Sequence, residues 1–215
     1  MFKLLLLFTL IGFSKGSILF AQAPQLEDSP VRILILGDSL TEGYGVSKKD
    51  AFPAILENLL NKNSSKKANA KKFKVVAAGS SGSTSASAVK RLKWHLKAKP
   101  SLLILALGGN DGLRGLKPKA TQDNLDKAID FAKSKNIKVI LAGMKIPTNY
   151  GKDYRKDFEK TYTELVKKHN LEFIPFLLKD VGGVKKLNLA DGIHPNEEGH
   201  KIIAKTLYQK LKETL

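Results

Sequence analysis

The 215-residue chain carries 37 lysines and arginines against 20 acidic residues, a formal charge of +17, and it has no cysteine. Disulfide staples and thiolate metal sites are therefore excluded, and stability must come from the apolar core that a chain of this length can build. The charge excess invites a nucleic-acid partner, but only Arg32, Arg91, Arg114 and Arg155 are arginines and the lysines scatter without interleaved aromatics, which argues against phosphate readout and leaves weak association with an anionic membrane or envelope surface.

The chain opens with Met1, Phe2 and Lys3, then an apolar run over 4–13 and a small-residue stretch ending at Ala23. This layout predicts an export signal over 1–23 and a mature chain, 24–215, that forms one domain in the periplasm or outside the cell. The run is too short to stay as a membrane span, which needs about 20 apolar residues. Short, β-rich apolar runs at 31–36, 73–78, 102–107, 137–142 and 171–174 read as buried parallel strands. Helical spacing occupies the intervals, at 52–61, 85–97, 121–133 with Thr121 as its cap, 154–169, and 196–211 with Pro195 in its first turn. Strictly alternating strands and helices predict a three-layer α/β sandwich around a five-stranded parallel sheet. The lysine-rich stretch 61–74 reads as an exposed, mobile connection, and no second-domain linker or repeat is present.

Polar clusters stand where three strands run out: GDSLT at 37–41, GSSGST at 79–84 and GGNDG at 108–112. Ligands of open α/β sheets sit beyond the carboxyl ends of the strands, where strand order reverses, so these clusters are expected to share one mouth. DGIHP at 191–195 can return to the same edge. A serine hydroxyl becomes a nucleophile when a histidine takes its proton, and a carboxylate fixes that histidine's tautomer. Ser39, His194 and Asp191 supply those parts, and activity should fall on the acid side of the histidine titration. An oxyanion needs aimed donors, for which the backbone N–H groups of Ser39 and Gly82 and the amide of Asn110 are the candidates.

Leu113, Leu116, Ile146, Pro147 and Tyr150 fall on loops at the same mouth and are expected to line an acyl trough, with the glycine-flanked segment 112–115 able to close over substrate. Asp38 and Asp111 read as structural residues of their turns. His95 and His169 read as surface or capping residues, and His200 as exposed. Nothing complements Asp191 and His194 as a metal set, so no metal and no cofactor are expected.

The runs GDSLTEGYGV, GSSGSTS, LGGNDGLRGL and DGIHPNEEGH are similar to the four sequence blocks of the SGNH (GDSL-type) hydrolases, in order and spacing. The resemblance covers nearly all of 31–215. LGGNDGLRGL together with IPTNYG at 146–151 resembles the branch that includes acyl-CoA thioesterase I, arylesterase and lysophospholipase activities. It implies a flavodoxin-like sheet without the sharp GxSxG nucleophile elbow, Ser39 as nucleophile, Gly82 and Asn110 as oxyanion donors, and Asp191 with His194 completing the triad. Ala77 and Ser83 depart from the second block, where these enzymes often carry Asn and Asp, and the departure touches that loop's supporting hydrogen bonds. The implied activity is hydrolysis of an ester, thioester or lysolipid, here by a chain expected to be monomeric. A carbohydrate O-acetyl esterase and a non-catalytic lipid or glycan binding module remain open as alternatives.

Overall fold

Each of the apolar runs becomes a strand: β1 Val31–Gly37, β2 Phe73–Ala78, β3 Leu102–Ala106, β4 Lys138–Ala142 and β5 Glu172–Ile174. The computed structural model describes residues 29–66 and 70–214; the export signal expected over 1–23 lies outside them. All neighbouring strands pair in parallel, in the order β2-β1-β3-β4-β5. Ile33 to Leu36 of β1 and Leu103 to Leu105 of β3 are wholly buried, as the middle of a parallel sheet covered on both faces requires. Each such side chain contributes about 1.5–3 kcal/mol relative to exposure.

The connecting helices are α1 Ser39–Glu42, α2 Phe52–Ser64, α3 Ala88–His95, α4 Gly109–Leu113, α5 Pro118–Ser134, α6 Lys152–His169 and α7 Glu197–Thr214. One layer is made by α2 packed on α7, the other by α3 on α5 and α5 on α6. No helix among the described residues is long and apolar enough to cross a membrane.

Helix starts differ from the expected ones in two places. Thr121 does not cap α5: Pro118 opens the helix, and Thr121 is buried inside it with its hydroxyl on Asp111. Pro195 stands outside α7, whose first free N–H groups, those of Glu198 and Gly199, are instead accepted by the Asn196 side chain. The lysine-rich connection also begins later than expected. α2 runs to Ser64, and the Asn61 amide exchanges hydrogen bonds with both the N–H and the carbonyl of Phe73 (2.9 and 3.0 Å), fastening the helix end to β2.

From β1 the chain crosses to β2 on one side and then returns to β3 on the other. Loops leaving the carboxyl ends of β1 and β3 therefore diverge and leave a crevice between them. The polar clusters sit there.

Candidate active site

At the end of β1 the Asp38 carboxylate accepts the Leu40 N–H (3.1 Å) and caps α1, so Ser39 becomes the first residue of that helix, directly beyond the sheet. Burial lifts the Asp38 carboxyl to about 6 against the hydrogen bonds it receives. Gly82 lies in the second loop with φ +73°, a conformation that suits glycine. Among the described residues, neither the Ser39 nor the Gly82 N–H donates to a protein acceptor.

The second loop is held from two sides. Glu42 accepts the Ser81 N–H (2.7 Å) and hydroxyl (2.6 Å), which keep its carboxyl below the usual range, and Arg114 donates to the Gly82 carbonyl (3.0 Å). These two residues give the loop side-chain support, the point that the departures at Ala77 and Ser83 had put in question.

The third loop turns at Gly108, whose φ of +114° and closeness to Tyr162 leave no room for a side chain. Asn110 follows in α4, and its amide donates to the Ser83 carbonyl (3.1 Å) and, at a long 3.4 Å, to Asp38. Asp111 is structural, as read from the sequence: fully enclosed, it accepts the Ser85 N–H (2.8 Å), the Ser85 hydroxyl (2.5 Å) and the Thr121 hydroxyl (3.2 Å). It thereby ties the β3 loop to the β2 loop.

The fourth cluster does return to this edge. Asp191 Oδ1 accepts the N–H groups of Ile193 and His194 (both 2.9 Å), while its Oδ2 meets His194 Nδ1 at 2.7 Å. The His194 N–H bond, the largest influence, and its companions hold the Asp191 carboxyl down to about 2. His194 Nε2 stands 2.9 Å from Ser39 Oγ. Residues 155 positions apart are thus joined in one hydrogen-bonded line, carboxylate to imidazole to hydroxyl.

Residues 35–202 match the GDSL-like Lipase/Acylhydrolase family. The chain belongs to this family. Esterase TesA of Pseudomonas aeruginosa is 34% identical to this lipase/acylhydrolase over 184 residues, 85% of the chain and 89% of TesA. Thioesterase 1/protease 1/lysophospholipase L1 of Escherichia coli is 35% identical over 181 residues, covering 84% of the chain and 83% of the relative. The crystal structure of TesA superposes with a TM-score of 0.79 at 34% identity, covering 86% of this chain and 99% of the other. That of the psychrotrophic esterase EstA from Pseudoalteromonas sp., inhibited by monoethylphosphonate, gives 0.79 at 30% identity over 86% and 98%.

The expected trough residues divide in this GDSL-type acylhydrolase. Leu113 is half-buried, and Leu116 and Pro147 are exposed. Ile146 is a correction: it is only 4% exposed and packs beneath Gly112, so it supports the loop from the core and has no face to offer a substrate. Tyr150 is half-buried, and its hydroxyl is spent on the Leu113 carbonyl (2.7 Å), as that of Tyr154 is on the Leu116 carbonyl (2.7 Å). Together with Arg114 on Gly82, these bonds strap the segment 112–115, which the glycines alone had suggested would be free to close.

Two apolar residues at the mouth escaped sequence reasoning. Tyr44 stands with its ring 4.5 Å from that of His194 and is half exposed, and Ile193 is exposed beside the same histidine. Their signal was present only as position within the blocks, since nothing in the residue types distinguishes them from loop anchors.

Two histidines are corrections as well. His200, expected at the surface, is fully buried. Its Nδ1 accepts the Phe52 N–H (3.2 Å), its ring stacks on Phe52, and burial depresses it to about 4. His169 is buried between α5 and α6 against Asp126 (2.5 Å). With Asp130 this pair forms a grouping of metal-type ligands, but Asp126 there also holds Lys168 (2.6 Å), an ion-pair network at the carboxyl end of α6. A cleft of about 460 Å³ between α2 and β2, lined by Thr41, Pro53, Glu57 and Lys74 among others, includes none of Ser39, Gly82, Asn110 or His194.

Proposed function

We propose that this acylhydrolase cleaves carboxylic esters and thioesters by two-step acyl transfer through Ser39. The observation that carries the reading is the unbroken line from Asp191 Oδ2 through His194 to Ser39 Oγ, at 2.7 and 2.9 Å. Asp191, held down to about 2, stays ionised across the working range and fixes the proton on His194 Nδ1, leaving Nε2 to take the serine proton. Ser39 Oγ attacks the acyl carbon, and the negative charge passes to the former carbonyl oxygen. The unengaged N–H groups of Ser39 and Gly82 face that charge, and Asn110 joins them by exchanging its long contact with Asp38 for the oxyanion. His194 then returns the proton to the departing alcohol or thiol, and water, deprotonated by the same nitrogen, releases the acid and restores Ser39.

Relatives named esterase and thioesterase/lysophospholipase support an ester or thioester substrate. Tyr44, Leu116 and Ile193, all exposed, give the acyl group an open apolar surface, which suits a lysolipid or an aryl ester better than a small polar acetate. The chain acts as an exported monomer in this reading.

The test is hydrolysis of p-nitrophenyl esters of graded acyl length by wild type and by Ser39→Ala. Turnover by wild type with a loss of about 10⁴-fold or more in the variant is the expected result, because without its nucleophile only binding and oxyanion stabilisation remain. Comparable rates for the two proteins would remove Ser39 from the mechanism.

A further inference from the structure

Trp94, the only tryptophan in the chain, is 68% exposed on the outer face of α3, with Lys97 Nζ 4.1 Å above its ring. The ammonium over the ring engages one face of the indole and leaves most of its apolar surface in water. Its surroundings are one-sided in charge. Residues 85–99 hold Lys90, Arg91, Lys93, Lys97 and Lys99 and no acidic residue.

Arg91 turns inward to the Ala78 carbonyl, whereas Lys90, Lys93, Lys97 and Lys99 are exposed. At helical spacing Ala86, Lys90, Lys93, Trp94 and Lys97 share one face. The neighbouring helix extends the same chemistry: Phe131 of α5 is half-buried between Lys93 (5.5 Å) and Lys135 (5.8 Å). The acids of α5 have partners elsewhere, Asp123 with Lys119, Asp126 with Lys168 and His169, and the exposed Asp130 at 3.7 Å from His169.

We propose that this face is a docking surface for an anionic phospholipid bilayer, with Trp94 seated at the level of the headgroups. Lysine heads meet lipid phosphates while their stems and the aromatic rings lie against the acyl boundary, the arrangement in which tryptophan and lysine anchor interfacial proteins. Charge complementarity decides the partner. A neutral bilayer offers the lysines nothing, and a soluble polyanion offers the indole nothing. The face begins at Ala86, four residues beyond Gly82, so docking brings the rim of the catalytic mouth to the edge of the lipid surface, where apolar esters and lysolipids collect. Binding itself does not depend on the hydrolytic reading, and Ser39→Ala should dock as wild type does.

Because Trp94 is unique, its emission reports the contact directly. The full chain is titrated with phosphatidylglycerol vesicles and with phosphatidylcholine vesicles, following Trp94 emission and co-sedimentation. Phosphatidylglycerol should shift the emission to shorter wavelength and sediment the protein, an effect that fades with added salt; phosphatidylcholine should do neither. The double variant Lys93→Glu/Lys97→Glu, both exposed and remote from the reacting atoms, should lose about thirtyfold or more in vesicle affinity while hydrolysing a short soluble ester as before. Equal binding to both vesicles, sedimentation without an emission shift, full affinity in the double variant, or the same shift with soluble polyphosphate would each overturn the proposal.

Discussion

In the proposed mechanism Asn110 has two jobs. Its amide donates to the Ser83 carbonyl at 3.1 Å, a firm bond that fixes the side chain between two loops, and to Asp38 at 3.4 Å, a bond too long to be strong. The second is the one an oxyanion can replace. Asn110→Ala should therefore lower kcat by about 10²–10³ with little change in KM, since the interaction forms with the charge. Steady-state kinetics on a p-nitrophenyl ester would show it. A KM effect alone would mean that the amide holds substrate and not the transition state. The block pattern made Asn110 legible in the sequence, but its bond to Asp38 was not, because the two lie 72 positions apart and meet only where β1 and β3 stand side by side.

At the scale of the element, each loop of the candidate site is held by a bond borrowed from another element. The β2 loop hangs from Glu42 of α1 and Arg114 beyond α4, and the β3 loop from Asp111 and the two tyrosines of the α6 region. Gly108 is a tight joint, with φ +114° and a would-be Cβ 2.1 Å from the Tyr162 hydroxyl, which itself donates to the Leu107 carbonyl. Gly108→Ala should destabilise the protein by about 2–4 kcal/mol through backbone strain and overpacking and should move Asn110 out of register. Denaturant unfolding gives the first effect and residual esterase activity the second. Loss of activity with stability unchanged would place the strain only in the active conformer. The strands were readable because apolar runs of that length and composition fit little else, and β2 falls where the sequence put it. Helix starts were less readable. Thr121 looks like a cap until Pro118 is seen to open α5 and Asp111 to claim the threonine hydroxyl.

For the molecule as a whole, two buried groups set opposing pH dependences. His200 is depressed to about 4 from the ordinary histidine value of 6.5, so the unfolded chain binds its proton first and stability is lost as pH falls from 6.5 towards 4. Asp38, raised to about 6 from 3.8, binds its proton more tightly when folded, and its contribution is lost as pH rises through 6. The two partly cancel in wild type. His200→Asn, which keeps an acceptor for the Phe52 N–H, should remove the acid-side loss, so that its Tm declines less than that of wild type between pH 6.5 and 4. Thermal unfolding across that range decides the matter, and parallel Tm curves would show that His200 does not titrate there.

The order of strands and helices, the parallel sheet and the residues of the four polar blocks were determined by the sequence alone, because hydrophobic period, turn chemistry and motif spacing are local properties. Only the tertiary structure decided what each residue faces. It buried His200 and Ile146, turned Tyr44 onto His194, set Arg114 across the mouth to Gly82 and left Trp94 in solvent. Those outcomes depend on which elements pack together, and side-chain environment is a property of the contact between elements, which no single segment encodes.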